Sequence, residues 1–284
     1  MDRVAGMGLA ISEAQATLLF KYLGMVEAKN REFNLTAIAD WGEAVERHLL
    51  ESLVGWQVWA RLEKECGVGY KWEKIQLVDV GTGAGFPGMV MAMAPPGGMQ
   101  VKAALVEATR KKVEFLEAAI RELGVPGVRA FWCRAEEMGR KREHREQYHL
   151  ALSRAVASVA VLAEYCLPLV QVGGWALWWK GPRVEEEELP RGMPAIEAMG
   201  GRVRAVVRLM VPKVKKEGEP GRVGASEGGG RDLSGSEPGE EEARQLSWVV
   251  VEKVAPTPAR FPRRPGIPAK RPWDGQEGRR CIHC

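Results

Sequence analysis

The chain has 284 residues, with 41 Lys+Arg against 37 Asp+Glu, 45% hydrophobic residues and 33 glycines. That length suits one large domain with appendages or two small ones, and that apolar content excludes a wholly disordered chain, a collagen-like repeat and a small disulfide scaffold. The formal charge of +4 is unevenly spread. Residues 243–284 carry nine Lys/Arg and three acids, a net of +6, so the remainder stands at −2. A basic tail on a near-neutral body permits a polyanionic partner without demanding one.

The opening Met1-Asp2-Arg3-Val4-Ala5-Gly6 lacks the form of a signal peptide. Leu18, Leu19, Tyr22, Leu23 and Val26, and then Val45, His48, Leu49, Ser52, Leu53, Trp56 and Trp59, recur at helical spacing. From residue 75 the period changes. Ile75 to Val80, Val101 to Val106, Val128 to Cys133, Tyr148 to Leu152 and Trp175 to Trp179 read as strands. Helical patterns lie between them, at Val113 to Leu123 and Val159 to Val170. That alternation predicts an α/β fold with a parallel sheet covered on both faces. The apolar stretch Val156 to Trp179 contains Glu164, Pro168, Gln171, Gly173 and Gly174, so it reads as a buried helix, a Gly-Gly turn and a buried strand rather than a membrane span.

Pro182 to Ala198 reads as a helix, and Arg202 to Val211 and Ser247 to Val254 as a closing strand pair. Between them, residues 213–245 hold eight glycines and many charges with almost no apolar side chains, the composition of a disordered insert. The six prolines from Pro256 to Pro272 are expected to keep the tail extended. The organisation is thus a helical cap over 1–73, a Rossmann-like domain over 74–212, an insert over 213–245, and a last strand with its basic tail over 246–284. Arg140 to Arg145, mixed in sign, reads as an exposed face. Five scattered cysteines argue for a reducing compartment, hence the cytoplasm. Cys281-Ile282-His283-Cys284 has no second ligand pair at zinc spacing, so no metal is expected.

The strongest local signal is Asp79-Val80-Gly81-Thr82-Gly83-Ala84-Gly85-Phe86-Pro87-Gly88. A buried strand runs into glycines, which let a ligand approach the backbone, and a helix starts near Pro87, which suits a first turn. Gly83 to Gly88 matches the dinucleotide pattern, and Glu107 supplies an acid about 20 residues on for ribose hydroxyls. Asp79-x-Gly81-x-Gly83-x-Gly85 equally looks like the loop of S-adenosylmethionine (SAM)-dependent methyltransferases. The loop alone leaves both ligands open.

Further motifs occur in a fixed order. Asn34-Leu35-Thr36-Ala37-Ile38 and His48-x-x-x-Ser52-Leu53 precede the glycine loop. Glu107 to Lys112, Arg134-Ala135-Glu136, Ser153-Arg154-Ala155, Lys180-Gly181-Pro182 and Pro262-Arg263-Arg264-Pro265-Gly266-Ile267-Pro268 follow it. Together they resemble the bacterial small-subunit ribosomal RNA guanine-N7 methyltransferase family (RsmG, also called glucose-inhibited division protein B), from about residue 14 to 272 apart from the insert. The resemblance implies a Rossmann-like SAM-dependent methyltransferase with an N-terminal helical cap, SAM as cofactor, and a guanine of 16S rRNA in the small ribosomal subunit as acceptor. It places Gly81, Gly83, Gly85, Phe86, Glu107, Ala108, Thr109, Ala135, Glu136 and Arg154 at the cofactor. Asn34, His48, Arg134, Lys180, Arg263 and Arg264 are expected on the RNA side. The family usually has Asp where this chain has Glu107 and Glu51, and the glycine-rich insert is foreign to its pattern.

Guanine N7 is a lone-pair acceptor with no proton to remove, so no catalytic base is expected and positioning carries the reaction. A nicotinamide oxidoreductase and a non-catalytic ribosome-associated RNA-binding protein are the competing readings. The first lacks a convincing hydride-partner acid or base, and the intact loop speaks against the second. A monomer without membrane contact is expected.

Overall fold

The computed structural model describes residues 10–65, 73–212 and 243–276. Most of the stretch read as an insert, and Cys281 to Cys284, lie outside them.

Helix α1 (Glu13–Asn30) starts at a capping box in which Ser12 and Gln15 satisfy each other's backbone N–H groups. A second helical stretch follows as α2 (Trp41–Ala44), a π-helical turn (Val45–Leu50) and α3 (Glu51–Glu65). Then come β1 (Lys74–Val80), α4 (Gly88–Met93), β2 (Gln100–Glu107), α5 (Arg110–Leu123), β3 (Val128–Trp132), α6 (Ala135–Met138), β4 (Tyr148–Arg154), α7 (Val159–Cys166) and β5 (Val170–Lys180). The chain closes with α8 (Val184–Glu187), α9 (Leu189–Ala198), β6 (Gly201–Pro212), β7 (Ala243–Lys253) and α10 (Ile267–Lys270).

The seven strands lie in the order β3-β2-β1-β4-β5-β7-β6. The first five are parallel, and β7 pairs antiparallel with both β5 and β6. Alternate residues serve opposite faces. Leu77, Leu105, Leu152 and Leu177 join Leu19, Tyr22, Leu23, Trp56 and Trp59 of the N-terminal helices in one continuous core. Val78, Val106, Ala151 and Trp178 point the other way, into a second core with α7, α9 and Phe261 of the tail. Burial on both faces explains why the strands read as unbroken apolar runs.

Four details depart from the sequence reading. Gly173 and Gly174 lie inside β5 rather than in a turn before it. Gly173 has φ +85°, and a Cβ on Gly174 would stand 2.8 Å from the His149 carbonyl oxygen. The pair makes an irregularity where the register with β4 shifts between Tyr148 and Leu150. β7 begins at Ala243, inside the stretch assigned to the insert, because Arg244 and Gln245 sit on a polar strand end that the apolar pattern cannot reveal. The helix expected over Pro182 to Ala198 is two helices meeting at Glu188. The tail is not simply extended: Phe261 is 1% exposed and Gly266 turns the chain into α10. Arg140 and Arg145, read as part of a solvated run, reach back to hold it, donating to the carbonyls of Pro262, Phe261 and Thr257.

Lys253 shows how firmly that end is tied. Its side chain is wholly buried, and its ammonium donates to the Leu167 and Met199 carbonyls at 2.8 and 2.9 Å and to the Thr257 hydroxyl, with Glu146 at 3.2 Å. Burial lowers its pKa to about 8. The folded state therefore binds this proton less tightly than the unfolded one, so stability rises as pH climbs from about 8 towards the unfolded lysine value. Lys253→Met takes the ammonium away from two carbonyls and a carboxylate; each keeps one weaker, neutral donor (Val170 N, the Thr257 hydroxyl and Thr257 N), but the half-buried Glu146 partner loses its cation. It is expected to lower unfolding free energy by about 3 kcal/mol at neutral pH in denaturant titrations; a change below about 1 kcal/mol contradicts this account.

Candidate active site

β1 ends at Val80, at the point where the strand order reverses between β1 and β4, so a crevice opens at the carboxyl edge of the sheet. The glycine loop is stitched to the neighbouring strand: the Gly81 and Thr82 N–H groups both donate to the Val106 carbonyl. Gly81 (φ +71°), Gly83 (φ +59°) and Gly85 (φ +87°) all adopt left-handed backbone. Beneath them Asp79 is fully buried. Its Oδ2 accepts from the Thr82 hydroxyl and from Gly88 N, which anchors both ends of the loop. Its Oδ1 is buried with no hydrogen-bond partner among the described residues, and burial raises the carboxyl pKa to about 6. Gly85 does not face the crevice. A Cβ there would stand 2.1 Å from the Tyr22 hydroxyl, which donates to the Ala84 carbonyl. Helix α1 thus backs the loop from behind, a role the sequence did not signal.

Two cavities meet at Gly81. The larger, about 690 Å³, is lined by Thr36, Arg47, His48, Glu51, Gly83, Phe86, Arg154, Lys180 and Arg244. The smaller, about 250 Å³, is lined by Ala108, Cys133, Arg134, Ala135, Glu136 and Tyr165. Gly81, Glu107 and Val156 border both. Val156 is 37% exposed and follows Ala155, a non-glycine residue at φ +57°, so the loop after β4 is held in a strained conformation at the site. Glu107 accepts from Gly83 N (3.1 Å) and Thr109 N (2.7 Å), which leaves lone pairs on both oxygens.

In the larger cavity the His48 and Phe86 rings stack with centroids 4.2 Å apart and planes 1° from parallel. The Arg154 guanidinium stands 5.8 Å from the Phe86 centroid. It donates to the Arg47 carbonyl and lies 3.8 Å from Glu51. The π-helical turn carries Arg47 and His48 and runs into Glu51, the first residue of α3, delivering all three to the cavity. His48 Nε2 pairs with the Thr36 hydroxyl at 2.9 Å. Burial, then Arg154 and Arg47, push the imidazole pKa down to about 3, so the ring is neutral at physiological pH. Lys180 donates to the Ala157 carbonyl (2.8 Å) and pairs with Glu188 (2.6 Å), pinning the loop after β4.

Of the residues expected at the cofactor, Gly81, Gly83, Phe86, Glu107, Ala108, Ala135, Glu136 and Arg154 line one or both cavities. Gly85 and Thr109 line neither and act through the backbone. On the RNA side, His48 and Lys180 line the larger cavity and Arg134 the smaller, whereas Asn34 is exposed outside both. Arg263 is turned inward onto buried Glu164, and its neighbour Arg264 is exposed. Sequence reasoning missed Thr36, Arg47, Val156 and Arg244 as lining residues. Thr36 and Val156 stood within or beside motifs already noticed; Arg244 was hidden in the stretch read as an insert.

Two glycine-bordered cavities joined at a carboxylate suit an elongated donor with a flat ring, a diol and a charged end. Glu107 offers acceptors at the junction, and Arg154 a cation in the larger cavity. β7 lies antiparallel between β5 and β6, unlike the all-parallel dinucleotide order. Fold and site together define a SAM-dependent methyltransferase of the Rossmann-like class.

A family model described as rRNA small subunit methyltransferase G matches residues 15–212. The chain is similar to ribosomal RNA small subunit methyltransferase G of Pelotomaculum thermopropionicum, with 38% identity covering 94% of each chain. It is similar to the protein of the same name from Moorella thermoacetica, with 37% identity covering 93% of each, and to that from Symbiobacterium thermophilum, with 38% identity covering 95% of each. The chain belongs to the rRNA small subunit methyltransferase G family, and it is a SAM-dependent methyltransferase of small-subunit rRNA. The nicotinamide oxidoreductase and non-catalytic readings are thereby set aside. Among the described residues no helix is long and apolar enough to cross a membrane.

Proposed function

We propose that the chain methylates N7 of a guanine in 16S rRNA by positioning alone, with no general base. The observation that carries this is that every acid or imidazole lining the larger cavity already holds a donor or a cation of this chain, and the acid with lone pairs to spare, Glu107, is the one assigned to the donor's ribose. Glu51 faces Arg154 and Arg244, and Glu188 holds Lys180 and Val159 N. Glu107 holds Gly83 N and Thr109 N, and His48 holds Thr36. Guanine N7 needs none of them, because its lone pair attacks without losing a proton. When bound, SAM supplies an electrophilic methyl carbon on a sulfonium.

The chain's own residues bind and orient. Gly81, Ala108, Ala135 and Glu136 would receive the adenine end, Glu107 the ribose hydroxyls, and Gly83 and Arg154 the methionine end. The stacked Phe86 and His48 form a stiff wall for the acceptor base. Arg47, Lys112 and Arg244 at the larger cavity, with Arg134 and Arg264 outside it, would neutralise phosphates. Alignment of this kind is worth on the order of 7 kcal/mol. On this proposal the acceptor belongs to the small ribosomal subunit, so the chain works in the cytoplasm, acting there as a monomer.

The test is mass spectrometry of 16S rRNA from small subunits lacking the modification, after incubation with protein and SAM. One added methyl on a guanine, at N7, is expected; a methyl on another atom overturns the reading. The pH dependence follows from the same geometry. The rate of methyl transfer is expected to be flat from about pH 6.5 to 9, with no inflection from His48. A rise in rate with pH that one substitution abolishes contradicts the mechanism.

A further inference from the structure

The segment after β7 crosses the face that carries α6 and α7, and two buried acids fasten it there. Glu164 of α7 is 0% exposed. It accepts from Arg263 three ways: the backbone N at 2.6 Å, Nε at 2.9 and 3.0 Å, and Nη2 at 2.6 Å. Glu136 of α6 is 2% exposed and accepts from Gly266 N at 2.8 Å. Trp273 stands 5.7 Å from the Arg263 guanidinium. These same helices wall the smaller cavity, through Ala135 and Glu136 of α6 and through Tyr165, the residue after Glu164.

We propose that the Arg263–Glu164 pair is a latch that sets the wall of the smaller cavity, making Arg263 a positioning residue for the methyl donor rather than a phosphate contact. The proposal rests on assigning that cavity to the donor's adenine end. α6 is a single turn of four residues and cannot hold its place by its own hydrogen bonds. It is held from outside by the Gly266 N–H on Glu136 and by Pro262, which would lie 3.2 Å from a Cβ on Gly139 at the end of α6. A fully buried carboxylate requires its cation, and only a planar fork satisfies both oxygens at once. The adjacent arginines therefore divide the work: Arg263 faces inward and Arg264 outward.

The test uses the full chain, with Arg263→Ala, Arg263→Lys and the double variant Glu164→Met/Arg263→Met. The double variant removes both charges, a replacement that buried ion pairs commonly tolerate, so it serves if Arg263→Ala does not fold. S-adenosylhomocysteine (SAH), the demethylated donor, is titrated by calorimetry at a temperature where circular dichroism shows each variant native. SAH affinity is expected to fall at least about tenfold in the alanine, lysine and double variants, while binding to small subunits and its salt slope stay within about twofold. Because linkage is reciprocal, SAH is also expected to slow amide exchange at Arg263 and Gly266 of the wild type. Unchanged SAH affinity in the double variant overturns the latch, as does a loss confined to small-subunit binding with a shallower salt slope. Absence of SAH uptake by the wild type instead overturns the donor-site assignment on which the latch rests.

Discussion

Gly81→Arg is expected to abolish measurable SAM binding while leaving the fold intact. Gly81 has φ +71°, and a Cβ there would stand 2.5 Å from Val156 Cγ2. Left-handed backbone costs a side-chain-bearing residue about 1–2 kcal/mol before any clash. The larger penalty is occupancy, since Gly81 borders both cavities and an arginine side chain must fill one of them. Gly83→Ala separates the two effects. Its φ is +59° and no protein atom lies within 4 Å of the added carbon, so the backbone cost and one methyl at the cavity wall are all it adds, and affinity is expected to fall by about tenfold. Calorimetry with SAM on both variants decides it. A Gly81→Arg protein that binds within tenfold of wild type removes the donor from this crevice.

Glu107→Ala is expected to weaken SAM binding by about 100-fold or more. The carboxylate does two jobs: it holds the loop through Gly83 N and Thr109 N, and it offers acceptors at the junction of the cavities. Each hydrogen bond to a charged group is worth about 1.5–3 kcal/mol. Glu107→Asp keeps the charge but draws it back by one methylene, and is expected to recover binding to within about tenfold of wild type. Equal affinity in wild type and Glu107→Ala would mean that the donor's hydroxyls are held elsewhere. On the proposed mechanism neither substitution removes a base from the chemical step, because attack by guanine N7 requires none.

Much of the candidate donor site was legible because it is local. A strand, a run of glycines and an acid at the next strand end are contiguous in the chain, and the sheet's geometry then dictates where they meet. The polar contacts made across the fold were not legible. Nothing in the spacing of Tyr22 shows that its hydroxyl reaches the Ala84 carbonyl, nor does anything in the sequence show that Arg244 donates to Glu51 at 3.3 Å. Arg263 is the sharpest case. A basic, proline-rich tail has the composition of an RNA arm, yet the first arginine of its Pro-Arg-Arg-Pro motif is committed to a buried acid 99 residues earlier.

By itself, the sequence determined the alternating architecture, the glycine loop and its acid, and the family, since these rest on short-range periodicity and on motif order. Only the tertiary structure decided which charges face inward. The desolvation of Glu164, Lys253 and Asp79, and hence the need for their partners, depends on what the folded chain packs around them. Hydrophobic pattern marks where a chain is buried, but the pairing of a buried charge is a property of distance in space, and local sequence carries no measure of it.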